Sequence, residues 1–173
     1  MKPLKPRFPI LLLLAGIGLA PTAQAELLDR AFAVYDTVSH LSWLKDANYA
    51  QTSGYDADGQ MTWAAANTWA AGLTVGGFTG WRLPTALNAD GSGPCSSFNC
   101  TGSELGNMFY GDINHGLGGT ANKDITNPLY HNANYYLFTN IIQFSVYWSG
   151  TEYAPSPSGA WDFGTYNGNP AYG

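Results

Sequence analysis

The first 25 residues have the three parts of a cleavable secretory signal. This feature constrains the compartment, the length and the charge of the mature protein more than any other. A basic start over residues 2–7 precedes an apolar run over residues 8–20. Ala23 and Ala25 then supply the small side chains, two positions apart, that a signal peptidase accepts. The alternative is a transmembrane anchor, which needs about 20 apolar residues, and Pro21 ends this run too early.

Removing the first 25 of the 173 residues leaves 148, which is the usual size of one domain. We therefore expect a single domain over residues 26–173, periplasmic or secreted, with no membrane attachment after cleavage. An oxidising compartment predicts a disulfide between Cys95 and Cys100. A redox or metal-binding pair is the alternative, but the spacing is not CxxC and no second Cys/His pair is present.

The charge of the mature chain excludes several classes of partner. Four basic residues remain against twelve acidic ones, a net charge of −8. Nucleic-acid binding needs clustered Lys and Arg to displace counterions, so it is excluded. The same balance argues against anionic membrane surfaces and sulfated polysaccharides.

The residue patterns predict a compact α+β domain with short antiparallel strands, two short helices and long loops. Residues 31–38 and 40–45 are typical of strands, and residues 145–151 and 160–166 of a hairpin. Thr62 can cap a helix over residues 63–71. Thr101 and Glu104 have the spacing of a capping box before a helix over residues 104–110.

Catalytic and metal-binding signatures are missing from the sequence. It contains no HExxH, no GxSxG and no phosphate-binding glycine loop, and its three histidines are far apart. Asp56 and Asp58 resemble the start of a calcium loop, but the twelfth position of such a loop is Asn67 rather than Glu. We therefore expect a simple turn there, no metal, no cofactor and no enzymatic activity.

Aromatic side chains are the main resource for binding. Sugars stack on the faces of Trp and Tyr, and nearby polar groups hold the hydroxyls. The candidate ligand-binding residues are Trp81, Tyr147, Trp148, Glu152, Tyr153 and Trp161. The alternative is that these rings fill the core, as tryptophans in small β-rich domains generally do.

Four segments together resemble the Legionella collagen-like protein C-terminal domain family, found in exported bacterial proteins. They are Leu41–Tyr49 (LSWLKDANY), Met61–Ala66 (MTWAAA), Gly80–Thr85 (GWRLPT) and Val146–Glu152 (VYWSGTE). Their order and spacing cover residues 33–168, nearly all of the mature chain.

The resemblance implies a C-type-lectin-like or formylglycine-generating-enzyme-like fold. In such folds the motif formed by Arg82, Leu83, Pro84 and Thr85 is structural. Arg82 is then expected to pair with a buried carboxylate or with carbonyl groups, and Trp81 to pack in the core. The catalytic cysteines of that enzyme have no counterpart here.

Two features depart from the family. Its namesake adhesin binds sulfated polysaccharides, which a net charge of −8 does not favour. Relatives also continue past the Gly168 region into a final strand, whereas this chain stops at Tyr172 and Gly173, so we expect its domain to be truncated at the last strand.

These observations predict an exported, non-enzymatic binding or adhesion-type module, with a glycan or a surface matrix as its partner. The first alternative is a structural or protein-interaction domain without a small-molecule ligand. The least favoured alternative is an enzyme of the formylglycine-generating type.

Overall fold

Two three-stranded antiparallel sheets frame residues 26–173, the part of the chain that this computed structural model describes. The first sheet has the order β1–β2–β3 and the second the order β4–β5–β6. The strands are β1 (Leu27–Arg30), β2 (Ala33–Asp36), β3 (Leu41–Leu44), β4 (Val146–Glu152), β5 (Ala160–Gly164) and β6 (Asn169–Tyr172). The predicted α+β class is confirmed, whereas the predicted signal at residues 1–25 lies outside the described residues.

Three short α-helices and two 3-10 turns connect the sheets. They are α1 (Tyr49–Thr52), α2 (Trp63–Gly72) and α3 (Glu104–Tyr110), with the 3-10 turns at Pro128–Tyr130 and Ala133–Leu137. The Thr62 hydroxyl accepts a hydrogen bond from the Ala65 amide at 3.3 Å, which is the predicted cap of α2. Within residues 26–173, no helix combines the length and apolar character needed to cross a bilayer.

The predicted capping box of α3 is wrong. The residue that caps this helix is Ser103, whose hydroxyl accepts the Gly106 amide at 3.1 Å, and Thr101 lies two residues before it. Glu104 does not fold back on the helix start, because its carboxylate is bound to Arg82 instead. The sequence spacing identified the helix correctly but assigned its acidic residue the wrong partner.

Strand lengths also differ from the prediction. Residues 31–38 contain only β2, because Ala31 adopts a positive φ of 58° in the turn after β1. The predicted hairpin of β4 and β5 is confirmed, with Tyr147 opposite Phe163. β1 and β6 were not predicted, and β6 pairs with β5 through residues 169–172. The truncation expected after Gly168 stays a prediction.

The core joins both sheets to α3. Its buried side chains are Leu27, Val34, Met108, Phe109, Leu117, Ile125 and Phe163. Phe109 contacts the Phe163 ring with centroids 5.4 Å apart, which ties the helix to the second sheet. All six tryptophans lie in the described part of the chain, and none is fully buried. Trp43 packs against the core as a partly buried ring, so the role of a tryptophan as core or as surface differs from ring to ring.

The predicted disulfide is confirmed and lies against α3. Cys95 and Cys100 are bonded, with their Cα atoms 5.9 Å apart. A Cβ atom on Gly106 would collide with the Cys100 carbonyl oxygen, so only glycine permits this approach of helix and loop. The short bridge thus stiffens the loop that leads into α3.

Candidate functional site

An open cleft of about 1810 Å³ lies within the described part of the chain. Its walls come from both sheets, α1, α2 and the segment 78–84. Pockets for small ligands are usually about 300–1,000 Å³, so the cleft has room for an extended ligand. The Trp and Tyr residues of its lining are Tyr35, Trp43, Tyr49, Trp69, Trp81, Tyr147 and Trp148.

The segment that carries Trp81 is held by an ion pair with α3. The Arg82 guanidinium donates two parallel hydrogen bonds to the Glu104 carboxylate, at 2.8 and 2.6 Å. The Thr85 amide donates to the same carboxylate at 2.8 Å. Glu104 therefore fixes both ends of the Arg82–Thr85 motif, as expected for a structural role. The Glu104 side chain is only 19% exposed, whereas that of Arg82 is 55% exposed.

The Glu104 carboxyl is shifted toward its charged form. Burial alone would raise its pKa, but the hydrogen bonds from Arg82 and the Thr85 amide, together with the Arg82 charge, more than offset burial. Its pKa is therefore lower than that of an ordinary Glu. The carboxylate stays ionised, and the clamp stays closed, at neutral pH.

A second set of bonds joins the Arg82–Thr85 motif to β4. The Gly150 amide donates to the Pro84 carbonyl at 2.8 Å, and the Ala86 amide donates to the Thr151 hydroxyl at 2.9 Å. The Thr85 and Thr151 hydroxyls lie 3.2 Å apart. Two segments about 65 residues apart in sequence are thereby fastened side by side, which places Trp81 and Trp148 on walls of the same cleft.

The polar atoms of three cleft rings, Trp81, Tyr147 and Trp148, are bonded to the protein's own backbone. Trp148 Nε1 donates to the Met61 carbonyl at 2.9 Å, and Trp81 Nε1 donates to the Phe78 carbonyl at 3.1 Å. The Tyr147 hydroxyl accepts the Ile142 amide at 3.1 Å, and burial raises the pKa of this hydroxyl. These three rings are held at their polar ends, so their apolar faces remain for a ligand.

Trp81 is half-buried and lies outside the core cluster, so the predicted packing of Trp81 in the core is wrong. The physical reason is the segment before it, in which Phe78 is 63% exposed and Gly80 has a φ of 81°. This turn carries the ring along the cleft wall rather than beneath the sheets.

The other predicted binding residues lie elsewhere. Glu152, Tyr153 and Trp161 do not line the cleft. Glu152 is an exposed residue at the end of β4. Tyr153 and Trp161 instead pack with Tyr172, and we call these three rings the surface aromatic cluster. The predicted set therefore divides into two places on the molecule.

The acidic turn at Asp56 has the simple form expected from the sequence. One oxygen of the Asp56 carboxylate accepts the amides of Asp58 and Gly59, at 3.1 and 2.8 Å. These bonds hold the turn closed. Among residues 26–173, no three His, Cys, Asp or Glu side chains lie close enough together to hold a metal ion.

Comparison with known protein families places the chain. The family model of the Lcl C-terminal domain matches residues 32–173. The chain belongs to the Lcl C-terminal domain family. This confirms the family that the four sequence segments predicted. No curated protein and no solved structure matches the chain, so the C-type-lectin-like form of its α+β fold stays a prediction.

Three residues of this Lcl C-terminal domain were not recognised as part of the site from the sequence. Trp43 and Trp69 line the cleft, although their segments indicated only a strand and a helix. Trp43 Nε1 is buried without a hydrogen-bond partner among the described residues. Glu104 was read only as a cap. The sequence signal that could have identified Glu104 is its position in a mainly apolar helix. Residues 26–173 contain only four Lys and Arg residues that could pair with such an acid.

Proposed function

We propose that this Lcl C-terminal domain is an exported, non-enzymatic binding or adhesion-type module that holds a glycan in its aromatic cleft. The observation that carries the proposal is the meeting of Trp81, Tyr147 and Trp148 in one concave surface. Rings that are fixed at their polar ends present apolar faces without further loss of side-chain entropy on binding. Sugar rings stack on such faces.

The charges favour a neutral or amino-sugar glycan. The charged side chains of the lining are Arg30, Asp46, Asp58, Arg82 and Glu104. Arg82 is already paired with Glu104. A sulfated chain would meet a domain with a net charge of −8 and little free positive charge in the cleft.

The disulfide supports a binding role over an enzyme of the formylglycine-generating type. That chemistry needs a reactive thiol, and both cysteines are bonded to each other. The disulfide also supports export, because such bonds persist in oxidising compartments.

A glycan array probed with the purified protein tests the proposal. We expect binding to neutral or amino-sugar glycans, weakened by Trp81→Ala and unchanged by Tyr136→Ala. Tyr136 is a matched control because it is a 68% exposed aromatic residue outside the cleft. A folded protein that binds no array member above background would remove the glycan proposal.

A protein-interaction domain is the second candidate, and the rim of the cleft favours it. Phe78, Ile142, Phe144 and Val146 line the cleft and are 63%, 40%, 72% and 47% exposed. Large exposed apolar side chains are typical of protein contact sites. Acrylamide quenching of Trp fluorescence separates the two candidates. If Trp81, Trp148 and Trp161 are all protected from the quencher, stacking of sugars on these rings is excluded.

A further inference from the structure

The surface aromatic cluster is built by all three strands of the second sheet. Tyr153 follows β4, Trp161 belongs to β5 and Tyr172 to β6, where it pairs directly with Trp161. The two tyrosine rings stack in parallel, with centroids 4.0 Å apart and 4° between their planes. Trp161 lies edge-on to both, at 5.7 and 6.0 Å.

The cluster extends the core face of the sheet beyond the core. Trp161 and Phe163 are two positions apart in β5 and so point to the same face. Phe163 is buried against Phe109, whereas Trp161 is only half-buried and Tyr172 is 59% exposed. Within residues 26–173, none of the three rings belongs to the core cluster and none lines the cleft.

We propose that the surface aromatic cluster is a second binding site, for an uncharged polysaccharide chain. The surrounding charge favours an uncharged ligand, since residues 124–173 contain no Lys or Arg and the exposed Glu152 lies directly beside Tyr153. A polyanion would be repelled there. Tyr172 is 59% exposed, and the outer face and hydroxyl of a stacked tyrosine match the apolar face and hydroxyl edge of a sugar ring.

The surroundings favour a sugar chain over a protein partner. The turn beside the cluster, residues 154–159, consists of Ala, Pro, Ser and Gly. It adds no large aliphatic side chain to the three rings. A stable protein interface buries about 800 Å² on each partner, and three rings with centroids 4.0–6.0 Å apart offer far less.

The size of the cluster predicts weak but useful binding. Tyr153 and Tyr172 cover each other's inner faces, so the cluster offers a small contact area and the site alone binds weakly. A long polymer that contacts both this cluster and the cleft on the same domain is retained by avidity, even if each site alone binds weakly. The assignment does not depend on the cleft, because no residue is shared between the two.

Affinity electrophoresis through gels that contain hydroxyethyl cellulose, soluble starch or laminarin tests the site. The measurement uses the Trp81→Ala background, which removes one of the stacking rings of the cleft and so lowers any binding there. We expect retardation by at least one of these uncharged polymers. Adding Tyr172→Ala should lower the association constant roughly tenfold, as expected for one lost aromatic stack. The matched control, Tyr136→Ala, should leave it unchanged.

An NMR titration of the unsubstituted protein tests the same site independently. In a titration of the unsubstituted protein with the hexasaccharide of the retarding polymer, aromatic NMR signals of Tyr153, Trp161 and Tyr172 should shift together. The proposal is overturned if no polymer retards the protein, or if Tyr172→Ala and Tyr136→Ala behave alike. It is also overturned if the three rings shift only with an apolar peptide.

Discussion

The cleft and the surface aromatic cluster use the same residue types in opposite ways. In the cleft, Trp81 and Trp148 are each fastened to a backbone carbonyl. In the surface aromatic cluster, the rings mainly contact one another, and Tyr172 is mostly exposed. The difference teaches that an aromatic residue whose polar end is bonded can form a wall and still leave its face free. For Tyr172, on an edge strand, we expect only a small contribution to folding.

We expect the largest change in the free energy of unfolding from Trp148→Ala, a substitution in the cleft. This substitution removes a half-buried ring and leaves the Met61 carbonyl without its donor. We expect the free energy of unfolding to fall by about 2–3 kcal/mol, the lower end for loss of a large aromatic. Urea unfolding followed by circular dichroism measures it. If Trp148→Ala lowered the free energy of unfolding by no more than about 0.5 kcal/mol, the value expected below for Tyr172→Ala, the distinction between the two regions would be contradicted.

The next effect concerns the Arg82–Glu104 clamp. Glu104→Gln keeps the shape but removes the charge, and should lower the free energy of unfolding by about 1 kcal/mol. We expect no more, because Arg82 is more than half exposed and solvent screens the pair. Urea unfolding at neutral pH measures it, with Glu152→Gln as the control at an exposed acid without an ion pair among the described residues.

The same clamp predicts a pH dependence with a definite sign. The pKa of Glu104 is lower in the folded protein than its ordinary value of about 4.3. Its contribution to stability is therefore full above that value and is lost as the pH falls through the lower, folded pKa. Unfolding curves between pH 6 and roughly pH 3 should converge for Glu104→Gln and the unsubstituted protein. Curves that stay parallel to the lowest pH would contradict this.

The contribution of Asp162 to stability should depend on pH with the opposite sign to that of Glu104. It lies in β5 between Trp161 and Phe163 and is 8% exposed, and its Oδ1 has no hydrogen-bond partner among residues 26–173. Burial raises the pKa of its carboxyl. The carboxyl therefore favours folding below the ordinary pKa of about 3.9, and this contribution is lost as the pH rises through the raised value. Asp162→Asn should thus stabilise the protein at pH 7, by about 1 kcal/mol. A destabilised variant at pH 7 would show that the carboxylate has a partner.

The smallest expected effect is that of Tyr172→Ala on stability. The ring is 59% exposed and touches mainly other surface rings. We expect the free energy of unfolding to change by no more than about 0.5 kcal/mol. A thermal melt beside that of Tyr136→Ala measures it. A loss of several kcal/mol would make the surface aromatic cluster a structural element rather than a free binding surface.

Patterns of neighbouring residues predicted helix α2 and the hairpin of β4 and β5. Thr62 and the alanine-rich run after it identified α2, and alternation around Tyr147 and Trp161 identified the central hairpin. β1 and β6 were missed because their sequences, LLDR and NPAY, lack the alternation of apolar and polar residues that predicts a strand, and NPAY contains a proline.

The candidate site was predicted in part. The sequence named Trp81, Tyr147 and Trp148, and the structure places them on walls of one cleft. It grouped Tyr153 and Trp161 with them, although these rings lie with Tyr172 instead. Alternation along a strand tells which face a side chain takes. It does not tell how far the core extends beneath that face.

By itself, the sequence determined the family, the α+β class, the disulfide partners and the acidic charge, because these follow from composition, spacing and motifs. Only the tertiary structure decided which aromatic rings share a surface and which acid holds Arg82. Those depend on bonds between segments distant in the chain, such as Arg82 to Glu104 and Pro84 to Gly150. Such bonds require that the core hold the two sheets and α3 together.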